Sequence, residues 1–131
     1  MRHTDYGFTK TVKLNYDEAL NKTTEKLKEK GFGVLTEIDV RDTMKKKLNA
    51  DLKPYKILGA CNPPFALEAI KAEEQIGLML PCNVIVYVND KNDTVVAAVD
   101  PVASMMAVKN KNLSGIAISV RNLLKEVIEE V

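Results

Sequence analysis

Hydrophobic residues recur at every second position in two segments of the chain, which is the pattern of a β-strand with one buried face. The first segment has Tyr6, Phe8, Val12 and Leu14 on that face, interrupted by Lys10, and the second has Phe32, Val34, Ile38 and Val40. We therefore predict one strand close to the start of the chain and another directly after Gly31.

Three further segments are hydrophobic along nearly their whole length: YKILGAC at 55–61, CNVIVYV at 82–88 and TVVAAVD at 94–100. Such segments are typical of strands that lie deep in a sheet. The polar turn NDKND joins the last two and is short enough to connect antiparallel neighbours. The pattern thus predicts three more strands, of which the last two form a hairpin.

Helical signals lie between these strands. Asn15 and Glu18 form an Asn-x-x-Glu start signal related to the capping box, and Gly31 suits the end of the same helix. Its inner stripe comprises Leu20, Thr23 and Leu27. A short second helix has Val40, Met44 and Leu48 spaced four apart, with Lys45, Lys46 and Lys47 pointing mostly to solvent. That lysine run is an anion-site candidate, although a solvated helix face is the commoner structure.

Two more helices complete the pattern. Asn62 is a suitable N-cap and Pro63 suits the first helical position, so we predict a helix over NPPFALEAIKAEE. The final segment carries hydrophobic residues at helical spacing, namely Leu113, Ile116, Ala117, Val120, Leu124, Val127, Ile128 and Val131. The predicted order is therefore β-α-β-α-β-α-β-β-α. We expect one α+β domain over residues 1–131, a two-layer sandwich of helices on a mostly antiparallel sheet.

Composition narrows the function classes. The chain has 19 basic and 18 acidic residues, and 5% of its residues are aromatic. This charge balance and the scarcity of stacking rings argue against nucleic-acid binding. The sequence contains no signal-peptide pattern and no stretch long enough to span a membrane, so we expect a cytoplasmic protein without membrane contact. Thiols stay reduced in that compartment, which disfavours a disulfide between the two cysteines.

Three sequence blocks resemble the bacterial and archaeal domain of unknown function 302 family. They are KILGACNPP at 56–64, IGLMLPCNV at 76–84 and AVDP at 98–101. The resemblance implies an α+β sandwich similar to TATA-box-binding-like folds, often present as a homodimer, and it implies no known activity. Likeness to the fold of a DNA-binding protein does not predict DNA binding here, because basic surface and aromatic wedges are absent.

The candidate site lies at the two Cys-Asn pairs. Cys61 ends one predicted strand and Cys82 begins the next, so the two side chains are expected to lie close together. They could form a redox pair or part of a soft-metal site, and the helix start after Cys61 favours a thiolate there. The alternative is that both are small buried apolar residues. His3 is the only histidine, so we expect neither a metal site nor a cofactor.

Three polar residues complete the candidate ligand-binding set. Asn62, Asn83 and the N–H groups of the following helix would form a small polar pocket for an anionic or carbonyl group. Alternatively, Asn83 bonds the backbone near Cys61 and joins the two loops. Asp100 is either a functional carboxylate or the cap of the following turn.

The sequence contains no phosphate loop, dinucleotide glycine pattern or serine elbow, so we do not expect enzyme activity in standard hydrolase or oxidoreductase assays. Two strands lack a polar face, and this surplus of apolar surface predicts a homodimer. The competing prediction is that the short helix after Val40 and the segment PVASMMAV cover the second face of the sheet within one chain.

Overall fold

The computed structural model describes residues 1–131, and its strands form one six-stranded sheet. The strands are β1 (Arg2–His3), β2 (Gly7–Val12), β3 (Gly33–Asp39), β4 (Tyr55–Cys61), β5 (Cys82–Val88) and β6 (Thr94–Val99). They lie in the spatial order β1-β2-β6-β5-β4-β3, and every neighbouring pair is antiparallel. The predicted α+β class and the predicted hairpin of β5 and β6 are confirmed.

The helices are α1 (Tyr16–Glu29), α2 (Val40–Leu48), α3 (Pro63–Ala72), α4 (Pro101–Ser104) and α5 (Lys111–Glu130), with a 3₁₀ helix at Glu74–Met79. The predicted order of nine elements is recovered, and the structure adds β1, the 3₁₀ helix and α4. None of the helices combines the length and the apolar character that crossing a membrane requires.

Local signals determine both ends of α1. The Asn15 side chain accepts a hydrogen bond from the Glu18 backbone, and the Glu18 side chain accepts one from the Asn15 backbone, so the predicted capping box is formed. At the other end, Gly31 has a φ of 88°, a conformation that side chains disfavour. This turn lets the Phe32 N–H donate to the Leu27 carbonyl, which ends the helix.

A β-bulge changes the predicted pattern of β3. The pairing register with β4 shifts between Val34 and Thr36, so Leu35 is the extra residue. Val34 consequently faces the core, whereas Ile38 faces the opposite side of the sheet and is 48% exposed. The prediction that Val34 and Ile38 share one face is wrong, because a single bulge reverses the alternation beyond it.

The core lies between one face of the sheet and the helices α1 and α5. Its buried residues from the sheet include Phe8, Leu58, Val84, Val86 and Val96, and its helical residues include Leu27, Leu124 and Ile128. Lys10 shares this strand face at the edge of the core. Its ammonium group donates a hydrogen bond to the Glu129 carbonyl at the end of α5, where positive charge is favourable.

The opposite face of the sheet, which we call the open face, is also apolar. It is formed by the half-buried side chains of Tyr55, Ile57, Ile85, Tyr87, Ala97 and Val99. The rings of Tyr55 and Tyr87 stack there with a centroid separation of 5.2 Å. The segment after β6 does not cover this face, because Met105 packs with Leu113 and Ala117 of α5 in a second, smaller cluster.

Candidate functional site

The two Cys-Asn pairs lie on adjacent strands, as the sequence predicts. Cys82 at the start of β5 pairs with Ala60 of β4, and Cys61 is the next residue along β4. Both cysteines are free thiols. The pairing therefore brings the end of β4 and the start of β5 together at one end of the sheet, beside the start of α3.

A cavity of about 360 Å³ opens at this end of the sheet. Its walls come from α3, α5 and the adjoining ends of β4 and β5, and 14 of its 19 lining residues are hydrophobic. Each of these four elements contributes hydrophobic residues to the wall, among them Phe65, Ala69, Ile116, Val120, Ala60 and Cys82. The volume is at the lower end of the range for small-molecule sites. The lining is thus apolar, which differs from the polar pocket that the sequence led us to expect.

The thiols at the cavity differ in burial. Cys82 is 7% exposed, and burial, with a smaller contribution from neighbouring Cys61, raises the pKa of its thiol to about 11. Cys82 is therefore protonated at neutral pH, and a protonated thiol is a poor nucleophile and a poor metal ligand. Cys61 is only half-buried and lines the same cavity.

Asn62 occupies the N-cap position of α3, but its side chain does not cap the helix. Its Nδ2 instead donates to the Lys30 carbonyl at the end of α1, with a nitrogen–oxygen distance of 3.3 Å. The amide also lies against Gly31, where an added Cβ would approach Nδ2 to 3.2 Å. Asn62 thus joins the end of α1 to the start of α3, so the predicted capping role is wrong.

The start of α3 offers few donors for an anion. Pro63 and Pro64 are its first two residues, and neither has a backbone N–H. No lysine, arginine or histidine lines the cavity. The predicted cradle of free N–H groups is therefore largely absent, and the cavity has no positive charge to offset the burial of an anion.

Asn83 lies apart from the cavity. It pairs with Gly59 and alternates along β5 with Cys82 and Val84, so its exposed side chain belongs to the open face. There it borders a shallow depression of about 270 Å³ that also includes Ile85. Its side chain makes no hydrogen bond within the chain, so the alternative in which it bonds the backbone near Cys61 is wrong, and it does not share a cavity with Asn62.

Asp100 is 5% exposed and serves as a structural cap. Its Oδ1 accepts a hydrogen bond from the Val102 backbone at 2.9 Å, which starts α4. Its Oδ2 lies 3.1 Å from His3 Nε2 and 3.9 Å from Arg121 Nε. The carboxylate thereby connects the first residues of the chain to α4 and α5.

The contact between His3 and Asp100 is not predicted by the sequence patterns. His3 belongs to β1, and its ring stacks on Phe8 with a centroid separation of 4.5 Å. A turn in which the Thr4 backbone donates to the Gly7 carbonyl folds β1 back on β2. That turn was the available signal, since Gly7 could have been taken as the end of a tight hairpin.

Metal-ligating side chains do not converge anywhere in the chain: no group of three or more His, Cys, Asp or Glu residues is placed to hold an ion. Cys61 and Cys82 have no third such residue near enough to complete a site, and four ligands are usual for structural zinc.

Comparison with known proteins agrees with this architecture. The sequence model of "Domain of unknown function DUF302" matches residues 8–131. The chain belongs to the DUF302 family. A crystal structure of the uncharacterized conserved protein DUF302 from Bacillus stearothermophilus is similar to it, with 26% sequence identity and a TM-score of 0.88. The match covers 95% of this chain and 96% of that one.

This coverage and TM-score show that the two chains share the fold. No curated protein matches the chain. The family resemblance predicted from the three sequence blocks is confirmed, whereas the DUF302 assignment itself names no activity.

Proposed function

We propose that this DUF302 chain is a binding module for a small molecule held in the cavity beside Cys61, Asn62 and Cys82. The observation that carries the proposal is the cavity itself, about 360 Å³ of largely apolar space at the junction of α3, α5 and the sheet. Concave, mostly apolar cavities with few polar groups are the usual form of ligand sites. Cys61, Asn62 and Cys82 supply polar groups of this kind.

A thermal-shift screen of small apolar and amphiphilic compounds tests the proposal. A ligand present at 100 times its Kd stabilises the folded state by about 2.7 kcal/mol, which is readily detected. Ala66 lines the cavity, and Ala66→Leu should fill part of it and reduce the shift. Ala107→Leu is the matched control, because Ala107 is exposed and does not line the cavity. A shift that both variants retain in full would place binding elsewhere.

The competing function is thiol chemistry by Cys61 and Cys82. Adjacent free thiols support it, but the raised pKa of Cys82 opposes it, because the thiolate is the reactive species. Titration of the native protein with a chromogenic disulfide reagent distinguishes the two functions. Rapid reaction of Cys61, followed by disulfide formation with Cys82, would favour redox chemistry over simple binding.

A second proposal is that the chain is a homodimer joined through the open face. The supporting observation is that the open face is apolar across β4, β5 and β6, and one polar face is usual where an antiparallel sheet meets water. A stable symmetric interface would bury on the order of 1,000 Å² or more. The family resemblance points the same way.

Light scattering at micromolar concentration tests this assembly. We expect a dimer mass for the native chain and a monomer mass for Ile85→Glu, because Ile85 lies in the middle of the open face. Leu67→Glu is the control, since Leu67 is 55% exposed on α3 and outside that face. A native chain that stays monomeric as concentration rises would contradict the proposal.

A further inference from the structure

Asn62 lines the cavity with a buried carboxamide, and one of the two polar atoms of that group has no partner within the chain. The residue is 9% exposed, and its Nδ2 is already used by the Lys30 carbonyl. Because a carbonyl only accepts hydrogen bonds, that contact identifies which end of the amide is the nitrogen. Oδ1 is therefore the remaining atom, and it makes no hydrogen bond within the chain.

Thr23 Oγ1 and Arg121 Nε are the only buried side-chain polar atoms without a partner, so solvent still reaches Asn62 Oδ1. A ligand that displaces this water without offering a donor would leave the acceptor unpaired, which is unfavourable. Asn62 lines the cavity, and Gly31 and the end of α1 hold its amide in place from behind. A molecule in the cavity that presents an O–H or N–H group to Oδ1 would avoid this loss on binding. The acceptor is thus fixed in position before any ligand arrives.

The residues around Asn62 indicate what charge the rest of the ligand can carry. No charged side chain lines the cavity, and Pro63 and Pro64 remove two donors from the start of α3. Burial keeps the Cys82 thiol protonated, so it adds no charge at neutral pH. An anion would gain no cation here and would face the oxygen of Asn62, so its burial is disfavoured.

We propose that the cavity selects neutral molecules that combine an apolar body with one hydrogen-bond donor, and that Asn62 Oδ1 accepts from that donor. A volume of about 360 Å³ corresponds to about twelve waters at their share of liquid volume, so a body on the order of a dozen non-hydrogen atoms fits. This inference rests on the proposed binding function, and it names the ligand class. It also replaces the anionic ligand that the sequence suggested.

Two isomers test the inference. Octanol and heptyl methyl ether have the same atoms and similar apolar bodies, but only octanol has a donor; octanoate adds the anion. Calorimetric titration of the native chain should show octanol binding roughly 2- to 10-fold more tightly than the ether, as expected for one neutral hydrogen bond. Octanoate, at neutral pH, should bind more weakly than both.

The Asn62 amide provides an independent measurement. In an isotope-labelled protein, the Asn62 side-chain resonances should shift with octanol and change little with the ether. Asn62→Leu should abolish the preference for octanol over the ether, and a thermal melt checks that the variant is folded. Because the isomer comparison uses the native chain, the inference stays testable even if that variant does not fold.

The outcomes separate the inference from the proposed function. Equal binding of octanol and the ether would overturn the role of Asn62 while leaving an apolar binding site. Tighter binding of octanoate would overturn the neutral ligand class. If none of the three compounds binds, both the inference and the proposed binding function are refuted for ligands of this size.

Discussion

The buried thiol of Cys82 predicts a specific loss of stability in alkaline solution. Its pKa rises from 9.0 to about 11 in the folded protein, chiefly because the thiolate would lie in an apolar environment. The folded state therefore keeps its proton between these values, while the unfolded state loses it. The contribution to stability is present in full below pH 9.0 and is lost as the pH rises through about 11.

The size of this loss follows from the shift. One pKa unit corresponds to about 1.4 kcal/mol, so a shift of this size removes about 3 kcal/mol from the free energy of unfolding. Cys82→Ala cannot lose a thiol proton and should not show this component. At neutral pH the variant should be less stable by about 1 kcal/mol, because it deletes one methyl-sized group from the core. The two stability curves should therefore cross in the alkaline range.

Urea unfolding between about pH 8 and pH 11, in the presence of a reductant, measures both curves. Lysine and tyrosine side chains titrate in the same range, so the informative quantity is the difference between the native chain and Cys82→Ala. Cys61→Ala is the control: it leaves the burial of Cys82 in place and should keep most of the alkaline loss. Parallel curves for the native chain and Cys82→Ala would refute the reasoning.

Substitutions at three further positions test packing and capping by urea unfolding. Gly59→Ala should lower the free energy of unfolding by roughly 1–3 kcal/mol, because the added Cβ would collide with the Thr36 hydroxyl and with Pro81. Unchanged stability would contradict this close packing. Gly115→Ala should stabilise by about 0.5–1 kcal/mol, because it lies inside α5 and its Cβ meets no atom within 4 Å. Asp100→Ala should cost about 1–2 kcal/mol through loss of the cap on Val102, and Asp100→Asn, which keeps an acceptor, should cost less.

The sequence predicts those elements whose signals are local. Asn15 and Glu18 lie three residues apart and form the reciprocal hydrogen bonds of the capping box. The long apolar stripe of α5 is likewise visible in the sequence without reference to the sheet. The adjacency of Cys61 and Cys82 was predictable for a similar reason, since a short helix joins the ends of neighbouring strands. Pattern and chain length alone decide such features.

Prediction from the sequence fails where a residue distant in the chain competes for the same hydrogen-bonding group or strand pairing. Asn62 is a good N-cap by local rules, but the Lys30 carbonyl, 32 positions away, takes its amide. The bulge at Leu35 likewise depends on pairing with β4 and leaves no periodic signal of its own. The apolar character of the cavity follows from α5 closing over α3, which local patterns do not predict.

The bulge at Leu35 also affects how this sheet meets other chains. An edge strand exposes unpaired N–H and C=O groups and is a template for joining another sheet. At one edge, β1 has only two residues, and at the other edge β3 combines the bulge with the charged side chains of Glu37 and Asp39. Irregular, charged or very short edges resist such extension. Edge-to-edge polymerisation of this chain is therefore disfavoured at both ends of the sheet.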